Sequence, residues 1–145
     1  MSHDTQPLLH VRDLRKTYSG HRRRGSMQAL DGVSFDLGPG QTLGIVGESG
    51  SGKSVSALAL LGLLPPAVTT VSGSVLFDDR ELLGSSEEDL RSVRGAGIAM
   101  IFQDPMTSLN PVLTVERQIG EAIRAHRRVS DRDVRARAAE LLGEV

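Results

Sequence analysis

The sequence has no cysteine and no tryptophan, and only one tyrosine and three phenylalanines in 145 residues. Without thiols there is no disulfide framework, no cysteine nucleophile and no thiolate metal site, and a reducing compartment is allowed. Long hydrophobic runs are also missing. The longest, residues 55–64, contains Ser56 and Gly62 and stops at Pro65-Pro66, so it reads as a core helix too short to span a bilayer. The opening MSHDTQPLLH lacks the apolar segment of a signal peptide. Charge of one sign is not in excess: the net charge is −1, which argues against a nucleic-acid partner. Lysine is nearly absent. It occurs only at Lys16 and Lys53 beside fifteen arginines, and a chain so committed to arginine has kept lysine where a compact ammonium matters.

What is present is globular in character, with 39% hydrophobic and 24% charged residues, and the length suits one domain. Rough alternation from Leu8 to Tyr18 predicts a strand, followed by the basic loop His21-Arg22-Arg23-Arg24-Gly25-Ser26. A second alternating stretch, with Val33, Phe35 and Leu37 on one side, ends at the turn Gly38-Pro39-Gly40. Residues 42–46 are a short apolar strand of the kind buried on both faces. A helix over about 53–64 and a strand over 74–77 follow. Ser85 with Glu88 forms a capping box for a short helix to about Arg94. Residues 97–102 read as a second buried strand running into Gln103-Asp104-Pro105.

Two helices close the sequence. Thr114 caps one carrying Val115, Ile119, Ile123 and His126 at helical spacing. Ser130 with Asp133 caps another with Val134, Ala138, Leu141, Leu142 and Val145 inward. That pattern is still periodic at Val145, as if the chain stops inside an element.

The informative motif is Gly47-Glu48-Ser49-Gly50-Ser51-Gly52-Lys53-Ser54, which matches G-x-x-x-x-G-K-[ST] at every fixed position. A triphosphate needs many N–H donors at close range, and glycines let the backbone approach with no Cβ in the way. Gly50 and Gly52 supply the curl, and a helix starting near Lys53 aims its first amides at the phosphates. Lys53 would reach the β- and γ-phosphates, and the Ser54 hydroxyl would ligate Mg²⁺. The loop lies between a predicted buried strand and a helix, as this chemistry requires. These residues predict a nucleoside triphosphate site in an α/β fold.

A phosphate loop alone does not separate kinase, GTPase and ATPase. The string Ala99-Met100-Ile101-Phe102-Gln103-Asp104-Pro105, continuing to Pro111 and following GESGSGKSVSALALLGLL, closely resembles the ATP-binding subunits of ABC transporters, within them the oligopeptide/dipeptide/nickel importer group. The resemblance runs from about Leu8 to Val145 and covers roughly the first half of a family domain. It implies a P-loop NTPase core (residues 42–64 and 97–104), a small antiparallel β portion (8–37 and 73–78) and the start of a helical subdomain (112–145), all in one incomplete domain of residues 1–145. It implies ATP and Mg²⁺ as ligands. Residues 47–54 and Val55 would surround the phosphates, Tyr18 would stack on adenine, and Gln103 would reach Mg²⁺ and the attacking water.

The resemblance also implies partners and a place. A second ATPase subunit would close head to tail over two ATPs, and membrane permease subunits would be driven from the cytoplasmic face of the cell membrane. Hydrolysis would be in-line attack of water on the γ-phosphate, with Lys53 and Mg²⁺ stabilising charge.

Several features point elsewhere on first sight. Val75-Leu76-Phe77-Asp78-Asp79 has the shape of a metal-holding strand plus acid, but Asp-Asp is also common turn chemistry, the stronger reading here. His3, His10, His21 and His126 show no ligand spacing. The arginines of the last two helices, interleaved with Asp131, Asp133 and Glu140, read as a solvated face. No later strand ending in Asp-Glu, no Leu-Ser-Gly-Gly-type signature and no following histidine occurs. For these 145 residues alone the expectation is therefore nucleotide binding with negligible turnover. Two alternatives stand beside an importing ATPase. One is a truncated module that binds or docks without hydrolysis. The other is a free-standing P-loop kinase, whose arginine lid only the C-terminal helices could supply.

Overall fold

The computed structural model describes residues 6–18, 26–65, 69–103 and 108–145. The chain divides into two compact units, Met1–Arg91 and Ser92–Val145. The basic loop (19–25), Pro66 and the segment holding Asp104 and Pro105 lie outside the described residues.

The first unit is built on an antiparallel sheet of order β2-β1-β3-β4, formed by β1 (Leu9–Tyr18), β2 (Met27–Leu37), β3 (Thr69–Phe77) and β4 (Arg80–Glu81). Its buried face carries Val11 and Leu14 of β1, Leu30 of β2 and Val75 of β3. The alternation in β1 is interrupted at Asp13, whose φ of 46° marks a bulge where the register shifts against both neighbours. The Asp13 amide donates to Ser34 Oγ at 2.9 Å. Opposite the bulge stands Gly73 with φ 115°, where a Cβ would fall 2.6 Å from the Asp13 carbonyl oxygen. Only glycine fits that approach.

Strand β3 begins at Thr69, several residues before the Ser74 that alternation suggests, and its first half pairs with Arg15–Tyr18 of β1. Asp78 and Asp79 are the two loop residues of the β3–β4 hairpin, with φ of 48° and 60°. Both positive angles define the hairpin turn that Asp tolerates well. Glu81 then pins the hairpin by accepting from Ser74 Oγ (2.5 Å) and from the Val75 and Leu83 amides (2.9 Å each). Burial alone would raise this carboxyl, but those donors outweigh it and hold it below the ordinary glutamate value.

Helix α1 (Lys53–Leu60) is shorter than the apolar pattern predicts. Gly62, with φ 60°, donates to the Ala59 carbonyl while Leu63 donates to Leu58, a left-handed glycine cap that ends the helix before residue 64. Helix α2 (Glu87–Val93) is capped one residue later than predicted. Ser86, not Ser85, accepts the Asp89 amide (3.1 Å) and donates to its carboxylate. Ser85 Oγ is already used on the Glu81 carbonyl.

The second unit holds α3 (Val115–His126) and α4 (Asp131–Gly143). Thr114 caps α3 through the Arg117 amide, and Ser130 caps α4 through the Asp133 amide. Gly120 is buried where the two helices meet, with Val134 and Ala138 inward, while Leu142 and Val145 are exposed. The arginines form exposed ion pairs along and between the helices, among them Arg124–Asp131 at 2.6 Å and Arg135–Glu116 at 2.9 Å.

The two stretches expected as buried strands are not strands here. Residues 42–46 make no ladder, with Val46 96% exposed. Residues 97–102 form one isolated bridge, Arg94–Ile98, and Ile101 is 97% exposed. An apolar strand of a parallel sheet takes its hydrogen bonds from neighbours brought back by long crossovers. Among the described residues no strand pairs with either stretch.

Candidate nucleotide site

The phosphate-loop motif sits in the first unit between the extended residues 42–46 and α1. Gly50 and Gly52 have φ of 83° and 95°, and Gly52 is the left-handed N-cap of α1 with no side-chain cap. The first amides of the helix, which have no intrahelical acceptor, are thus left without a side-chain cap from the N-cap residue. Ser51 donates its amide to the Glu48 carbonyl at 3.2 Å, closing the curl. Ser56, buried one turn into α1, gives both its amide (2.8 Å) and its hydroxyl (3.0 Å) to the Gly52 carbonyl, fixing the loop to the helix.

Lys53 folds back over the loop. Its ammonium donates to the carbonyls of Gly47 (2.6 Å) and Glu48 (2.7 Å) and to Ser51 Oγ (3.2 Å). The cation is thereby held across the concave side of the loop. A Cβ at Gly47 would lie 2.6 Å from Ser51 Oγ, and one at Gly52 would lie 2.7 Å from Leu30 Cδ2 and 2.9 Å from the Ala29 carbonyl. Gly52 is therefore required by space as well as by backbone angle, whereas Gly50 is required by backbone angle alone. Ser49 and Ser54 are exposed, Ser54 in the first turn of α1, and Val55 is half-buried behind it. The cradle, the helix terminus and the ammonium fit a polyphosphate, and Ser54 can add one hydroxyl to a phosphate-bound Mg²⁺.

Tyr18 closes β1, half-buried and paired with Met27 and Thr69. Beneath its ring lies Lys16 Nζ, 4.3 Å from the centroid. Lys16 is fully buried, and burial holds its ammonium below the ordinary lysine value. Gln103 is exposed and belongs to the second unit, whereas the loop belongs to the first. Ala29 and Leu30, outside the motif, back the loop at Gly52. They lie on another strand, and no local pattern marks them.

A phosphate cradle beside an antiparallel sheet suits several classes of P-loop protein, and the comparisons select the ATP-binding cassettes. The ATP-binding cassette MJ0796, solved as a dimer in a post-hydrolysis state with ADP and Pi, superposes with a TM-score of 0.73 at 26% identity, covering 93% of this chain and 56% of that one. The family described as ABC transporter matches residues 30–145, and the chain belongs to it.

Its relatives include the peptidoglycan transport ATP-binding protein YejF of Agrobacterium fabrum, 52% identical over 98% of this chain and 26% of its own length. The probable peptide ABC transporter ATP-binding protein y4tR of Sinorhizobium fredii is 54% identical over 93% of this chain and 40% of its own. The dipeptide transport ATP-binding protein DppD of Bacillus subtilis is 45% identical, over 97% and 42%. The chain thus spans less than half the length of these relatives.

Proposed function

We propose that this chain forms the nucleotide-binding part of an ATP-binding subunit that powers ABC-type import of peptides or a related solute. The observation that carries the reading is the loop of residues 47–54, with Gly50 and Gly52 left-handed and the Lys53 ammonium held across it. On this reading the loop amides and Lys53 bind the β- and γ-phosphates of ATP, and Ser54 and Gln103 take part in holding Mg²⁺. Tyr18 stacks on adenine, a contact worth about 1–3 kcal/mol. Relatives that are peptide and dipeptide transport ATP-binding proteins support a peptide-type solute, and the dimeric cassette supports a second ATPase subunit as partner. Permease subunits at the cytoplasmic face of the membrane complete the assembly.

Among these 145 residues no second acidic strand and no signature pattern accompany the loop, so the chain by itself binds MgATP without turning it over. Calorimetric titration and a phosphate-release assay on the purified chain test this. MgATP binding that is lost in Lys53→Ala, with no phosphate release, is the expected result. Robust turnover by the chain alone would overturn it in favour of a self-contained P-loop enzyme.

A further inference from the structure

One charged group in the first unit has no part in the reading above. Lys16 is 0% exposed and, among the described residues, its Nζ has no hydrogen-bond partner. Its cross-strand neighbours, Leu30 on β2 and Val71 on β3, are both apolar. Burying an ammonium in such a place is costly, and a leucine or methionine would fill the same space without that cost. The charge lies against the face of the Tyr18 ring, 4.3 Å from its centroid. Lys16 and Tyr18 are two residues apart on one strand and so share a face of the sheet, about 7 Å apart along it.

The position of Lys16 ties it to the loop as well. Leu30, its partner in register, is the side chain against which Gly52 rests. The only two lysines of the chain therefore flank one site, one on the phosphate loop and one beneath the aromatic ring.

We propose that Lys16 is a positioning residue for the nucleotide base: its ammonium occupies one face of the Tyr18 ring, fixes the ring's orientation and leaves the other face to a stacked purine. The cation draws ring electron density toward itself, which makes the opposite face a better partner for an electron-rich heterocycle. The inference rests on the reading of Tyr18 as the base-stacking residue.

The test compares MgATP with magnesium tripolyphosphate, which presents the phosphates without a base, on the full chain. Tyr18 is the only tyrosine and there is no tryptophan, so intrinsic emission reports that ring alone. In Lys16→Met, which keeps the buried volume, MgATP affinity falls about 3- to 10-fold and the ATP-induced change in Tyr18 emission shrinks. Tripolyphosphate affinity stays within about 2-fold, and by calorimetry the substitution adds nothing in a Tyr18→Leu background. Lys16→Arg, which retains the charge, keeps the preference for ATP, and circular dichroism confirms that the variants are folded.

Equal loss of both ligands in Lys16→Met would overturn the proposal, assigning Lys16 to the loop. So would unchanged MgATP binding in Lys16→Met while Tyr18→Leu weakens it. If Tyr18→Leu itself leaves the ATP-to-tripolyphosphate ratio unchanged, the reading of Tyr18 fails first and the proposal with it.

Discussion

Gly50 and Gly52 are both left-handed, yet they stand in different surroundings, and that difference can be measured. A Cβ at Gly50 meets nothing within 4 Å, so Gly50→Ala carries only the strain of a left-handed L-residue, about 1 kcal/mol. At Gly52 the same strain applies at φ 95°, and the new Cβ lands 2.7 Å from Leu30 Cδ2 and 2.9 Å from the Ala29 carbonyl oxygen. Leu30 can yield by a rotamer change, but Ala29 is strand backbone and cannot. Overpacking of this kind adds about 1–3 kcal/mol, so Gly52→Ala should destabilise the first unit by about 2–4 kcal/mol in all. Urea unfolding of the two variants beside the parent chain reads the difference directly. Gly52→Ala should also lose at least about tenfold in MgATP affinity, because the N-cap of α1 must shift to relieve the overlap. Equal destabilisation by the two substitutions would refute the reasoning, since the close approach to β2 would then contribute nothing.

Further outcomes follow from the same geometry. The Glu81 carboxyl is held below the ordinary value of 4.5, so its stabilising effect is complete above that pH and is lost as pH falls through the lower folded value. Urea midpoints of the parent chain should therefore drop more steeply in acid than those of Glu81→Gln, which should start about 1 kcal/mol less stable at neutral pH. Parallel pH profiles for the two proteins would contradict this. In the second unit, a Cβ at Gly120 would lie 2.9 Å from Val134 Cγ1. Gly120→Leu should force α3 and α4 apart and cost about 1–3 kcal/mol, seen as lost helical ellipticity on mild heating.

The phosphate loop was legible in the residues because its chemistry is local: glycines, lysine and serine must stand at fixed covalent spacing to wrap one ligand. The caps at Thr114 and Ser130 were legible for the same reason, each bond closing within three residues. Ambiguity entered where two local solutions competed. Ser85/Glu88 and Ser86/Asp89 both have a serine followed three residues later by an acid, and the hydrogen bond of Ser85 to the Glu81 carbonyl selects the second. The early start of β3 at Thr69 was hidden because those residues pair with Arg15–Tyr18, more than fifty positions away.

Residue spacing alone therefore marks a phosphate-loop motif opening a helix, because its residues lie within the eight positions 47–54. Which side chains press on that loop, which lysine is buried beneath the aromatic ring, and which apolar stretches form ladders depend on segments distant in sequence. Gly52 against Leu30 and Ala29, Lys16 beneath Tyr18, and the failure of residues 42–46 and 97–102 to form ladders are all of this kind. Close packing and sheet hydrogen bonds are made between strands, and a strand's own sequence does not name its neighbours.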